Sequence, residues 1–157
     1  MSKKILAILT LFVVAISISA VSAFDLGDLV GETSNAEAQN VTIDGIDFMI
    51  PAGYAEDENL TLDGVKNETA GVEYTTWGKT YENDKHDVIS IGVATYDGVE
   101  VDDSMPAYIG GNEKTVNGVK GYEYNVDSFS GFTYAKNGKL VIISLTDEKV
   151  LDELVVK

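Results

Sequence analysis

Five Asp-Gly or Asn-Gly pairs punctuate the chain: Asp44-Gly45, Asp63-Gly64, Asp97-Gly98, Asn117-Gly118 and Asn137-Gly138. Both residues of such a pair tolerate the positive φ that a tight two-residue turn between antiparallel strands requires. Three of the pairs stand between β-like runs and therefore predict hairpins. Residues 41–43 turn at Asp44-Gly45 into residues 46–50. Residues 114–116 turn at Asn117-Gly118 into residues 119–126, and residues 129–135 turn near Asn137-Gly138 into residues 140–145. A chain written this way folds by pairing neighbouring strands antiparallel.

Two more strands are expected over residues 72–81 and 88–96. In the second, Ile89, Ile91 and Val93 form a bulky face, while Ser90, Gly92 and Ala94 form a small one. Small residues let another segment approach closely, so a covering element is expected. The C-terminal segment reads as that element. Thr146 suits an N-cap, Asp147 and Glu148 suit a first turn, and Val150, Leu151, Leu154 and Val155 recur at helical spacing. Pro106 limits any helix between Asp102 and Ile109 to a short one. The expected fold class is α+β: one domain over residues 41–157, an antiparallel β-sheet built from hairpins with a C-terminal amphipathic helix packed on one face.

Ahead of this domain, Lys3 and Lys4 precede an uncharged run over residues 5–23 that ends in Val21-Ser22-Ala23. Cations, an apolar stretch and a small-residue exit make residues 1–23 a secretory signal peptide, with cleavage after Ala23. The alternative is an uncleaved membrane anchor, because the run is just long enough to cross a bilayer core. Both readings leave the lysines inside and place the rest beyond the cytoplasmic membrane, secreted or held at its outer face. Residues 24–40 read as a linker, apolar-acidic at first and then polar.

Composition excludes several classes. The chain carries 26 acidic residues against 11 basic ones, all lysine, for a net charge of −15. That field repels nucleic acid, and without arginine there is no guanidinium fork for phosphate. Contact with a membrane is expected only through the N-terminal segment. There is no cysteine, so disulfides, thiolate metal sites and a cysteine nucleophile are excluded. No Gly-rich phosphate loop precedes a helix, and no cofactor is expected. Three sequons, Asn40-Val41-Thr42, Asn59-Leu60-Thr61 and Asn67-Glu68-Thr69, make Asn40, Asn59 and Asn67 candidates for N-glycosylation.

The run Phe48-Met49-Ile50-Pro51-Ala52-Gly53-Tyr54 resembles the opening of a PsbP-like domain, where an apolar first strand ends in proline, glycine and an aromatic. The later order is similar as well: paired strands, a mid-chain helix, a hairpin carrying Gly118-Val119-Lys120-Gly121-Tyr122, and a final helix, over about residues 41–157. The whole chain also resembles small secreted proteins of methanogenic archaea. The PsbP-like resemblance implies a protein-docking or scaffold role and supplies no catalytic residue.

Chemistry has few places to assemble. His86 is the single histidine, and Asp84 or Asp87 are the carboxylates that would orient it. Ser130 lacks the first glycine of a nucleophile elbow. His86 is better read as ending a turn before the strand at Val88. Asp97, Glu100, Asp102 and Asp103 crowd one loop and are the candidates for a hard ion such as calcium, although their spacing does not follow an EF-hand. Solvated surface charge is the preferred reading of that loop. Tyr74, Trp77, Tyr81, Tyr96, Tyr108, Tyr122, Tyr124 and Tyr134 are expected mainly in the core, the alternative being a rigid contact surface. The sequence therefore points to a non-catalytic secreted or cell-envelope binding domain with a protein or cell-wall partner. Two alternatives stand beside it: a small extracellular hydrolase of wall glycan or peptide using carboxylates or His86, and a calcium-stabilised envelope module.

Overall fold

The computed structural model describes residues 36–69 and 71–157. The expected signal peptide and most of the linker lie outside the described residues. Among the described residues, no helix is long and apolar enough to cross a membrane.

Among the described residues, ten strands and one short α-helix follow one another: β1 (Gln39–Ile43), β2 (Ile46–Ile50), β3 (Ala55–Glu56), β4 (Leu62–Thr69), β5 (Val72–Glu82), β6 (Val88–Tyr96), β7 (Asn112–Val116), β8 (Val119–Val126), β9 (Phe129–Lys136), β10 (Lys139–Leu145) and α1 (Leu151–Leu154). β1 and β2 form a separate hairpin. The other eight strands form one antiparallel sheet in the order β3-β5-β6-β10-β9-β8-β7, with β4 beside β3 on the same flank of β5. The sheet is thus mostly neighbour-on-neighbour, as a chain of hairpins requires, with β10 inserted between β6 and β9.

The three expected hairpin turns are present, each with positive φ at both central residues: 45° and 75° at Asp44-Gly45, 51° and 81° at Asn117-Gly118, 54° and 74° at Asn137-Gly138. These angles match the twist of the flanking strands. The other two pairs do different work. Asp63-Gly64 falls where the β4–β5 register shifts, inside a strand, and Asp97-Gly98 leads β6 into a long crossing loop. β1 begins at Gln39, slightly before residue 41, and the Ala36 carbonyl already accepts a bond from the Gly53 amide.

Register defines the two faces of the sheet, since directly opposed residues project to the same side. Tyr81, Ile89, Ile91, Val93, Val141, Ile143, Phe132 and Tyr134 make the bulky face. Ile43, Ile46, Phe48 and Ile50 of the β1–β2 hairpin, together with Leu151, Leu154 and Val155, pack against it. The expectation that the C-terminal helix covers the small-residue face is therefore corrected: it lies on the opposite face, beside β2. Leu151 and Leu154 bury in the larger apolar cluster, which lies on the bulky face.

The helix is also shorter than the spacing predicts. A 3-10 turn (Glu148–Val150) is capped by the Asp147 carboxylate accepting from Lys149 N at 3.1 Å, and α1 follows for a single turn. Thr146 is not the cap. Its hydroxyl accepts from Val88 N at 2.7 Å, tying the end of β10 to the start of β6. Val155 is extended and bridges Phe48.

The small face carries Thr76, Gly78, Thr80, Ser90, Gly92, Ala94, Gly131, Thr133 and Ser144. At one end it is covered by the loop after β6, whose Val101 and Met105 pack with Ala94, Tyr96, Leu140 and Ile142. Pro106 opens a three-residue 3-10 turn (Pro106–Tyr108) in that loop, the short helix that its ring allows.

Candidate functional site

The aromatics divide as the alternating strands dictate. Tyr81, Tyr96, Tyr124 and Tyr134 are buried, while Trp77, Tyr74 and Tyr122 are half-buried. Tyr108 stays 44% exposed. Trp77 packs at the border of the core cluster without being enclosed.

His86 sits in the β5–β6 turn with φ 63°, and its Nδ1 is 2.5 Å from Glu82 Oε1. The orienting acid is thus Glu82, buried at the end of β5, and neither Asp84 nor Asp87 fills that role. Asp87 instead bonds to Asn83, whose amide oxygen accepts from the Lys85 and Asp87 backbone amides at 2.9 Å each. Neighbouring Tyr54 has its hydroxyl pushed up to about 12, first by burial and then by the charges of Asp87 and Asp147, against a hydrogen bond from Asn83. Ser130 does not join this turn; its hydroxyl donates to Asn125 Oδ1 at 3.0 Å. Among the described residues, no hydroxyl bonds to His86. The arrangement orients an exposed imidazole on a buried acid, which is half of a proton relay.

The acidic loop disperses. Asp97 donates its amide to Glu73 O at 2.9 Å and faces β5, whereas Glu100 lies beside Gly138. Asp102 folds back on Ser104, accepting from its amide at 2.8 Å and its hydroxyl at 2.5 Å; these bonds hold its carboxyl below the ordinary value. Asp103 is exposed. Among the described residues, no three His, Asp or Glu side chains stand where they would share a metal ion.

Two surfaces remain. On β8, Tyr122, Tyr124 and Val126 share the face that the Pro106–Tyr108 turn packs against. Tyr124 is buried there, Val126 is 42% exposed, and Tyr108 projects from the turn. β7, next to β8, is the outer strand of this flank. On the opposite flank, an open cavity of about 410 Å³ is lined by Asn67, Glu68, Glu73, Tyr74 and Asp97, among others. In the β4–β5 register Glu68 stands directly opposite Glu73, and Asn67 opposite Tyr74.

Asn40, Asn59 and Asn67 are all exposed. Sequence patterning did not reveal the strand that carries Asn67. β4 alternates poorly because both of its faces meet solvent, and only Asp63-Gly64 hinted at a break there. Comparison with known proteins adds no relative: no protein-family model, curated protein or solved structure matches the chain.

Proposed function

We propose that this chain is a non-catalytic binding domain working outside the cytoplasmic membrane, secreted or held at its outer face, with a protein or cell-wall component as partner. The observation that carries the reading is the β8 flank. There Tyr108 and Val126 are exposed and Tyr122 is half-buried, and among the described residues β7 beside β8 is an edge strand. Rigid aromatics with few rotors lose little entropy on contact, and a strand edge offers unpaired backbone groups beside them. We also read the order of hairpins and final helix as PsbP-like, with an archaeal source. Support for this is the proline-glycine-aromatic exit from β2 and the Gly118–Tyr122 stretch entering β8.

The test places a photo-crosslinking residue at Tyr108, Val126 or, as control, Asp84, in the full chain on intact cells. Capture of one neighbour from 108 and 126 but not from 84 is the expected result. Equal capture from all three, or recovery of the protein in the cytosol, would overturn the reading.

A second reading, a small extracellular hydrolase of wall glycan or peptide, draws support from the His86–Glu82 pair alone. It requires turnover that disappears in His86→Ala with the fold intact. The calcium-stabilised module draws no geometric support from the acidic loop.

A further inference from the structure

We propose that Asn40, Asn59 and Asn67 carry N-linked glycans, and that those on Asn59 and Asn67 shield the outer edge of β4; this rests on the export reading above. Of the five described asparagines outside the sequons, Asn112 is exposed on β7 and the other four serve the fold. Asn117 and Asn137 supply positive φ in hairpin turns, and Asn117 Nδ2 also donates to Val155 O at 3.0 Å. Asn83 organises the β5–β6 turn, and Asn125 accepts from Ser130. None of these lies in a sequon.

The three sequon asparagines are exposed, and none of them shapes a turn. Asn40 lies on the outward side of β1, away from the side that carries Val41 and Ile43 inward. Asn59 donates to Asp57 two residues away at 3.1 Å, a local surface contact. Asn67 reaches Val65 O at 3.2 Å and Thr76 Oγ1 at 3.5 Å, long bonds that leave its amide available.

Position adds the second argument. β4 and the 3-10 turn holding Asn59 both contact β5, so Asn59 and Asn67 lie at the β5 side of the sheet, with β6, β10 and β9 between them and β8, while Asn40 belongs to the β1–β2 layer. β4 pairs only with β5 among the described residues and leaves its other edge open, with Leu62 38% and Val65 41% exposed. An open edge with exposed apolar side chains invites pairing with another chain. The irregularity between Leu62 and Val65 disrupts the first part of β4, whereas residues 65–69 run in regular register. Asn67 stands in the middle of that regular stretch. The open polar cavity beside it, with Tyr74 directly opposite, gives room for a first sugar ring.

In the transfer, Asn Nδ2 forms a bond to the anomeric carbon of a lipid-phosphate-linked oligosaccharide. The anomeric C–O bond breaks, the lipid phosphate leaves as an anion, and the amide gives up one proton. The threonine two residues on defines the acceptor for a membrane oligosaccharyltransferase acting outside the cytoplasm.

Peptide mass spectrometry on the protein from its native cells tests the modification, and light scattering on Asn59→Gln/Asn67→Gln tests the shield. Expected are glycopeptides at Asn40, Asn59 and Asn67 from the exported fraction, and self-association of the folded double variant where the glycosylated protein is monomeric. Exported protein with all three asparagines unmodified overturns the inference and leaves the binding reading standing. A glycosylated protein whose double variant stays monomeric overturns the shield. Recovery only from the cytosol overturns both readings together.

Discussion

The ring of Tyr124 lies flat over Gly131 of the neighbouring strand, so that a Cβ at position 131 would overlap it. From there the Tyr124 hydroxyl donates to Ile143 O at 3.1 Å and meets Ser144 Oγ at 2.9 Å. One glycine thus lets a tyrosine on β8 cross β9 and reach β10. Gly131→Ala forces the ring out of its place, and we expect a loss of about 3 kcal/mol in urea unfolding. Tyr124→Phe keeps the ring and drops the hydrogen bonds, for about 1 kcal/mol. Equal losses in the two variants would show that the ring does not depend on the glycine.

Asn117 and Asn137 occupy equivalent turn positions, yet only Asn117 bonds across to the C-terminal segment, donating to Asp152 O at 2.5 Å and Val155 O at 3.0 Å. Alanine at either position meets the positive-φ penalty of about 1 kcal/mol. Asn117→Ala should lose about 1 kcal/mol more, because orphaned carbonyls at the end of α1 lose their donor. Thermal melts of the two variants side by side check the difference, and identical shifts would contradict it.

Lys139 connects the layers. Its ammonium lies 2.6 Å from Asp44 O, 2.7 Å from Asp44 Oδ2 and 6.0 Å from the Trp77 ring centre. Lys139→Met removes one tie between the β1–β2 turn and the sheet, leaving the Thr95 hydroxyl donating to Asp44 Oδ2 at 3.1 Å, at a cost of about 1 kcal/mol, since the pair is partly exposed. Trp77 is the chain's single tryptophan, so its emission should shift in the folded variant. Unchanged emission would remove the link.

Alkaline pH should unfold the domain before its buried tyrosines ionise. Burial pushes the hydroxyls of Tyr54 and Tyr124 up to about 12, and those of Tyr81, Tyr96 and Tyr134 higher still. Unfolded tyrosine ionises near 10, so above that pH the unfolded state releases protons that the folded state retains. The contribution is complete below about pH 10 and is lost as pH rises through about 12. Tyrosinate absorbance at equilibrium should therefore rise together with loss of the β signal in circular dichroism. Titration of these tyrosines within an intact fold would refute this.

Because Asp97, Glu100, Asp102 and Asp103 do not converge, excess chelator should leave the melting temperature unchanged. A fall of several degrees on chelation, reversed by calcium, would restore the calcium-stabilised alternative.

Local chemistry and tertiary chemistry were legible to different degrees. The three type I′ hairpins and the two long strands follow from φ preferences and alternation confined to a few residues, so they stand where the sequence places them. β4 escaped because an edge strand exposed on both faces has no apolar period to reveal. The acid that orients His86 also escaped. Two nearer aspartates were equally available on paper, and only the turn's left-handed His86 aims the ring at Glu82. The charge, the absence of cysteine and the sequons required no fold at all.

Taken alone, the amino-acid order determined that this is a chain of antiparallel hairpins with one bulky and one small face on its central strand, because turn and strand preferences act within a few residues. Tertiary structure decided which face receives the C-terminal helix, which tyrosines sink, and which asparagines stay exposed. Those outcomes depend on how much apolar area each face can bury against distant segments, a quantity that exists only once the layers meet.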